Sequence, residues 1–595
     1  MKKHSLLDNY RYVIRNVLRY SRTKVFCETI TTVLSFFLDS FCAIWMMRYV
    51  VDRIEKGGDI KSVFTWIACT AAGYAVLGLV RNIYVYREKE SCNADVISGF
   101  EGRIFETASK ADLICFDDPS FYQDCQRALY CTDRVVEKVF QSIINLLAFG
   151  IMMLNAAVYL YMLDAKLLLF CLIAFSTYRF GRTYGVSRAS RETELIEQER
   201  KQNYVRKVFL DRKYAQEIRT SNIKSALDET YNKASERKKG IYRRYGSRLS
   251  RLSFLRTFGA ADAIEIVCYV YAAIRILVTH NLSTADFAVM FSAVIQYSSR
   301  LRRIITYFSE AQENSLYVDA YRDFIEREYP VRNAEMTCKP FETIEMKNVC
   351  FGYNEAHKVL DNVSLKIIKG ESVMIAGSNG AGKTTLVNIL LRLYDPQSGD
   401  LLYNGEPVKI IDKKSYQKHF SCMQQNYQIY DISIEENVLL TEVLNSEQRN
   451  KAKVAAEDAG AGKWIQKTAY GMQSLIGKAF DRSGIEPSGG QKQSLAIARL
   501  RAADADIYIL DEPSSALDPI AEAEFFEKIN ESLKGKTIIF ISHRLAAARN
   551  VDRVVFMENG RIVETGSHRD LMEKDGQYAK MFKTQARYYQ EEARS

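Results

Sequence analysis

Gly377-Ser378-Asn379-Gly380-Ala381-Gly382-Lys383-Thr384 satisfies every defined position of GxxxxGK[ST]. Ahead of it, Ser372 to Ala376 is an apolar run of strand length; behind it, Leu386 to Leu393 has the pattern of a helix. A glycine-rich turn between strand and helix is the context in which this motif is a P-loop. Its glycines let the backbone curl so that successive N–H groups point at phosphate oxygens, at the positive end of a helix. Gly377, Ser378, Asn379, Gly380, Ala381, Gly382, Lys383, Thr384 and Thr385 are therefore candidate contacts for ATP. Lys383 neutralises the outer phosphates, and Thr384 is suited to hold Mg2+.

A chain of 595 residues is too long for one ordinary core. Long apolar segments separated by basic loops fill the first part, whereas short strands and helices alternate after about Glu342, as in an α/β domain. The net charge of +10 clusters between the apolar segments rather than on a nucleic-acid motif, so nucleic acid is not expected as a partner. Twelve cysteines contain no CxxC pair, and several, including Cys27, Cys42, Cys171 and Cys268, lie inside apolar segments, where packing explains them. The N-terminus alternates Arg11, Arg15, Arg19 and Arg22 with Leu7, Tyr10, Val13, Val17 and Leu18, the pattern of an amphipathic interfacial helix. No short apolar core ending in a small-residue cleavage site follows it, so a signal peptide is not expected.

Six segments have the length and apolarity to cross a bilayer: 26–50, 62–86, 137–162, 166–186, 257–279 and 285–308. The connections between the second and third, and the fourth and fifth, are long. The latter carries Arg206, Lys207, Arg212, Lys213, Arg237, Lys238, Lys239, Arg243 and Arg244. The positive-inside rule puts both long connections, and with them both termini, in the cytoplasm. Glu28, Asp39, Asp262, Glu265, Arg275, Gln296 and Arg300 fall inside these segments. Charge at the bilayer centre costs at least about 2.5 kcal/mol, so such groups line a polar pathway or pair with one another, as Glu265 and Arg275 could.

In the second half, the run Ile507-Tyr508-Ile509-Leu510 ends in Asp511-Glu512. A buried strand thus delivers two carboxylates: Asp511 suited to Mg2+, and Glu512 to polarise an attacking water for phosphoryl transfer. Between P-loop and acidic pair stands Ser488-Gly489-Gly490-Gln491, opening a helix. With this element the chain resembles the ATP-binding cassette family, whose signature is SGGQ. The resemblance implies that Ser488, Gly490 and Gln491 contact ATP held by an opposing cassette. It further implies that Tyr353 stacks on adenine and that Gln425 touches Mg2+ and water. Ser515-Ala516-Leu517-Asp518 matches the D-loop, and His543, in Ile541-Ser542-His543-Arg544, matches the switch histidine. Glu512, His543, Lys383 and Gln425 are then the candidate catalytic residues, and Thr384, Gln425 and Asp511 the candidate Mg2+ ligands.

The implied architecture is an all-α six-helix transmembrane domain followed by an α/β P-loop nucleotide-binding domain. Its parts are a membrane domain over 1–328, a linker over 329–342 holding Pro330 and Pro340, and a cassette over 343–595. Asp117-Asp118-Pro119-Ser120-Phe121-Tyr122 resembles the approach to a first coupling helix and Asp211 to Lys224 a second. This arrangement looks like an exporter-type half-transporter: a multi-pass protein of the cell membrane that hydrolyses ATP, pairs with a second half-transporter chain, contacts lipid, and moves a peptide, drug-like or lipid substrate by alternating access. An ATP-gated channel or regulator is the alternative function. The signature departs from its usual form at Pro487, where leucine is common, and at Ser494, where arginine is common. A homodimer is the favoured assembly; the altered signature makes a heterodimer, with one weakened ATP site, the alternative.

Overall fold

The computed structural model describes residues 4–57, 60–163, 178–258, 263–277, 284–327, 336–353, 357–478, 481–513, 525–526, 529 and 533–592. The chain divides into two compact units. One comprises residues 1–111 and 118–329, the other residues 112–117 and 330–595. This departs from a contiguous division: the helix Leu113–Asp117, in the midst of the membrane half, belongs to the unit that holds the cassette.

The first unit is helical. Arg22–Phe41, Cys42–Met46 and Met47–Glu55 form one rod; Ile60–Ile83, Tyr84–Glu88 and Lys89–Lys110 a second; Pro119–Tyr130, Cys131–Val135 and Val136–Leu163 a third. The middle piece of each rod is a single π-helical turn. These three rods are the helices long and apolar enough to cross a membrane among the described residues, with 34, 51 and at least 44 residues. At 1.5 Å per residue the second is about 75 Å long, more than twice a hydrocarbon core, so most of its polar half must extend beyond the bilayer. Phe64, Val76 and Leu79 on it are each more than 60% exposed, as residues facing lipid or a partner chain would be. The segment expected over 166–186 lies largely outside the described residues. The fifth and sixth are represented by Ala263–Leu277 and Thr284–Ile325, the latter far longer than its apolar part. A core of Ile44, Ala156, Tyr159, Leu160, Cys268, Val289 and Ala293 joins the first, third, fifth and sixth expected segments.

Charges within these helices meet partners inside the unit. Lys24, 1% exposed on its side chain, pairs with Glu137 and with the Asn93 amide oxygen. Glu28 accepts from Gln141 and, at 3.2 Å, from the Tyr84 hydroxyl. Asp39 accepts from Tyr74 at 2.8 Å, Glu265 from Ser298, and Arg48 lies 3.6 Å from Asp286. Glu28, Asp39 and Glu265 thus each accept a hydrogen bond from a neutral side chain of this unit, while Asp262 lies outside the described residues.

The second unit contains two sheets. A four-stranded antiparallel sheet has the order β2 (Leu360–Ile368), β1 (Thr343–Phe351), β4 (Ser398–Tyr403), β5 (Glu406–Pro407). A six-stranded sheet has the order β10 (Arg561–Gly566), β9 (Arg553–Glu558), β3 (Ser372–Gly377), β8 (Thr537–Ser542), β7 (Ile507–Asp511), β6 (Phe420–Met423). In it β9, β3, β8, β7 and β6 run parallel, and β10 pairs antiparallel at the edge. Every residue of β7 and β8 is buried, as expected of parallel strands covered on both faces.

Candidate nucleotide site

Four adjacent parallel strands of the six-stranded sheet end together. Ala376 pairs with Ser542, Asp511 with Ile541, and Met423 with Leu510. The loops leaving the carboxyl ends of β3, β8, β7 and β6 carry the P-loop, His543, Glu512 and Gln425 respectively. In open α/β sheets the crevice outside these strand ends is where ligands bind. Residues separated by more than 160 positions are thus assembled by strand register alone.

The P-loop owes its shape to glycine at two places. Gly377 has φ +151°, and a Cβ there would stand 2.2 Å from the Met557 carbonyl oxygen. Gly382 has φ +96° and supplies the cap of Lys383–Leu390; its Cβ would meet Leu360 at 2.9 Å and Val359 O at 3.0 Å. Neither position admits another side chain without displacing backbone or a buried leucine. Lys383 is buried, and its Nζ donates to the carbonyls of Gly377 and Ser378 at 2.9 Å each. Burial lowers its pKa, against the opposing pull of Glu512 and Asp511. The ammonium is therefore short of water and held inside the loop, a favourable setting for an anionic ligand.

Glu512 is gripped from two sides. Its Oε2 accepts from Gln425 Nε2 at 2.7 Å, and His543 Nδ1 lies 2.9 Å from its Oε1. Its backbone is left-handed, with φ 48°, and its N–H donates to Ile541 O at 2.9 Å. Asp511, 4% exposed, has its pKa pushed up to about 6, first by burial and then by the neighbouring Glu512. The Thr384 hydroxyl stands near the Asp511 carboxyl and opposes that rise. A buried carboxylate and a hydroxyl brought together at the P-loop fit Mg2+, which prefers few protein oxygens and completes its shell with phosphates and water. Among the described residues no cluster of three or more His, Cys, Asp or Glu side chains is arranged as a metal cage. Gln425 is turned to Glu512 in this structure, not to Thr384 or Asp511.

Tyr353 is half exposed; its hydroxyl is 3.2 Å from Thr385 Oγ1, and its ring packs edge-on against Phe351 and Tyr394. The P-loop flank thereby acquires an aromatic wall. Ser488 caps Gly489–Ala502: its Oγ accepts from Gln491 N, and Gln491 Oε1 accepts from Ser488 N at 2.9 Å. Ser488, Gly489 and Gly490 are exposed. Ser494 accepts from Trp464 Nε1 at 3.2 Å and donates to Gln491 O at 2.8 Å, so the unusual serine ties the signature helix to its neighbour. Ser515 to Asp518 lie outside the described residues.

Three contributors escape sequence reasoning. Gln493, 6% exposed, donates to Pro513 O at 2.6 Å and so buttresses the chain just past Glu512. Its signal was a polar residue on the buried side of a helix. Tyr394 donates at 2.9 Å to Asp117, in the short helix that joins this unit, and Lys413 reaches Asp112, the residue just before that helix, at 2.5 Å. That helix, Leu113–Asp117, precedes the stretch expected to lead into it. The second expected coupling segment forms the helix Arg212–Thr220, capped by Asp211 and without buried residues.

A family model described as ABC transporter matches residues 360–515. The subtilin transport ATP-binding protein SpaT of Bacillus subtilis is 28% identical over 80% of this chain and 78% of its own length. The ATP-dependent lipid A-core flippase of Hahella chejuensis is 32% identical over 54% of this chain, and the match spans 55% of that relative, about half its length. Among solved structures, a bacterial Atm1-family ABC exporter with ATP bound superposes with a TM-score of 0.74 at 21% identity, covering 96% of this chain and 98% of that one. The chain thus shares the fold of that exporter, a helical unit followed by a P-loop unit, and the ABC transporter model matches the part that carries the P-loop, the Ser488-Gly489-Gly490-Gln491 element and the acidic pair.

Proposed function

We propose that the chain exports a peptide, drug-like or lipid substrate by alternating access, as one of two identical subunits that share two composite ATP sites. The observation that carries this reading is the convergence of Lys383, Asp511, Glu512, His543 and Gln425 on one crevice, in a chain whose other half is long apolar helices. A crevice that cleaves ATP, joined covalently to a membrane bundle, is suited to drive movement through that bundle.

Glu512, oriented by Gln425 and His543, takes the proton of the attacking water. Lys383 exchanges its two carbonyl partners for phosphate oxygens, and His543 stabilises charge on the transferred phosphoryl group. Thr384 and Asp511 would hold Mg2+, whose charge would offset the negative charge of the phosphates. Tyr353 offers its exposed ring to the adenine. Ser488 and Gly490 present the positive end of their helix to the nucleotide of the opposing subunit. The basic connections support a cytoplasmic cassette and cytoplasmic termini. The roles of the relatives, subtilin transport and lipid A-core flipping, support peptide and lipid as the leading substrate classes.

The test is reconstitution of the purified chain in vesicles with a fluorescent amphipathic peptide or a labelled lipid. ATP should drive accumulation against the gradient, and Glu512→Gln should bind ATP yet lower turnover at least ~100-fold, as loss of a general base does. Flux that only equilibrates the probe would mark a channel and refute the pump. Near-normal turnover in Glu512→Gln would remove that residue from its assigned role.

A further inference from the structure

The N-terminal helix Leu6–Tyr20 has two faces with different surroundings. One buries Asn9, Tyr10, Val13, Asn16 and Val17. Asn9 is fully buried: its Nδ2 donates to Ser315 O at 3.2 Å, Ser315 Oγ at 2.8 Å and Asp319 Oδ1 at 2.8 Å, and Arg322 donates to its Oδ1 at 3.1 Å. The helix is thus locked in rotation against Thr284–Ile325, which fixes what its other face presents.

On that other face Leu7, Ile14 and Leu18 form a line, and Arg11, Arg15 and Arg19, successively one turn apart, form a second line beside it. Leu7 is 78% exposed, Leu18 is 41% exposed, and all three arginines are exposed. None of the three has a hydrogen bond or ion pair among the described residues. Arginines around the buried face behave differently: Arg103 donates to Tyr12 at 2.9 Å and Arg322 to Glu326 at 3.0 Å. The helix carries a single acid, Asp8, which is held by its own cap residue Ser5 at 2.5 Å. Only Ser21 separates this helix from the membrane-spanning rod that starts at Arg22, so it lies at the bilayer edge.

We propose that this face is a binding site for anionic phospholipid headgroups. The leucine and isoleucine line enters the boundary of the acyl chains, and the adjacent guanidinium line meets lipid phosphates, to which its planar donors are matched. Each arginine near a charged surface contributes roughly a fivefold preference for anionic over zwitterionic lipid, weakened by salt.

The test uses the full chain in bilayers of phosphatidylcholine, with and without phosphatidylglycerol, and reads hydrogen exchange of the amides of residues 6–20. Exchange should slow several-fold when phosphatidylglycerol is present, and high salt should erase the difference. The triple variant Arg11→Gln, Arg15→Gln, Arg19→Gln should lose the difference while keeping its melting temperature in detergent; the triple lysine variant should keep most of it. Equal exchange in the two bilayers overturns the proposal and leaves a purely apolar anchor or an acidic protein partner. Retention of the phosphatidylglycerol effect in the glutamine variant overturns it too. Should that variant fail to fold, the composition and salt arms on the unaltered chain decide.

Discussion

Glu512 pays a conformational cost to stand where it does. A left-handed backbone at a non-glycine residue costs about 1 kcal/mol or more, and here the N–H bond to Ile541 O and the grips of Gln425 and His543 over-determine it. Its neighbour Asp511 carries a different strain. Burial raises its folded-state pKa from 3.8 to about 6, so between those values the folded protein binds more protons than the unfolded one. Stability then falls as pH rises through that window: the cost is absent below about pH 4 and complete above about pH 6. In the absence of Mg2+ and nucleotide, Asp511→Asn should therefore stabilise the protein at pH 8 by on the order of 2 kcal/mol, read as a higher melting temperature, and the two proteins should converge near pH 4. Parallel melting profiles for variant and parent across this range would refute it. The same substitution should weaken Mg2+-dependent ATP turnover, since the carboxylate that fits the metal is gone.

At the scale of elements, the site was legible where chemistry is local. The P-loop announces itself because Gly377 and Gly382 must accept backbone geometry that no other residue tolerates, and Asp511-Glu512 because an all-apolar parallel strand rarely ends in two acids. What depends on distant partners left no local trace. The three π-turns show no pattern in the apolar periodicity of their helices. Leu113-Ile114-Cys115-Phe116 reads as one more short apolar run, yet it forms the helix that leaves the membrane half for the cassette. Gln493 and Tyr394 acquire their roles only from Pro513 and Asp117. The Tyr394 contact also joins the aromatic wall beside the P-loop to that helix. A double-mutant cycle of Tyr394→Phe and Asp117→Asn should show a coupling of about 1 kcal/mol in the local stability of residues 112–117, read by hydrogen exchange. Strict additivity would show that the contact does not hold the helix.

For the whole molecule, the exposed apolar surface of the Ile60–Lys110 rod and the exposed signature serine both face away from their own chain. Complementation between inactive copies tests whether two chains build one site. Glu512→Gln and Ser488→Ala chains should each be nearly inactive alone, but a mixed dimer holds one site with an intact Glu512 facing an intact Ser488. Part of the ATP turnover should return on co-reconstitution. No recovery, with the unaltered chain active, would exclude a site composed across two copies; an unaltered chain that turns over only with a different second chain would establish the heterodimer.

The discontinuity of the cassette unit has a consequence for how the protein is made. Residues 112–117 leave the ribosome long before Tyr394 and Lys413, which hold them. At ~5–20 residues per second, the helix Leu113–Asp117 waits roughly 15–60 s for its docking partners. The cassette is thus completed only by a segment synthesised before it, and a fragment beginning at residue 330 would fold without the piece that Tyr394 and Lys413 are shaped to receive. Assembly of the two halves is written into the order of synthesis: the membrane half comes first and carries the cassette's last part.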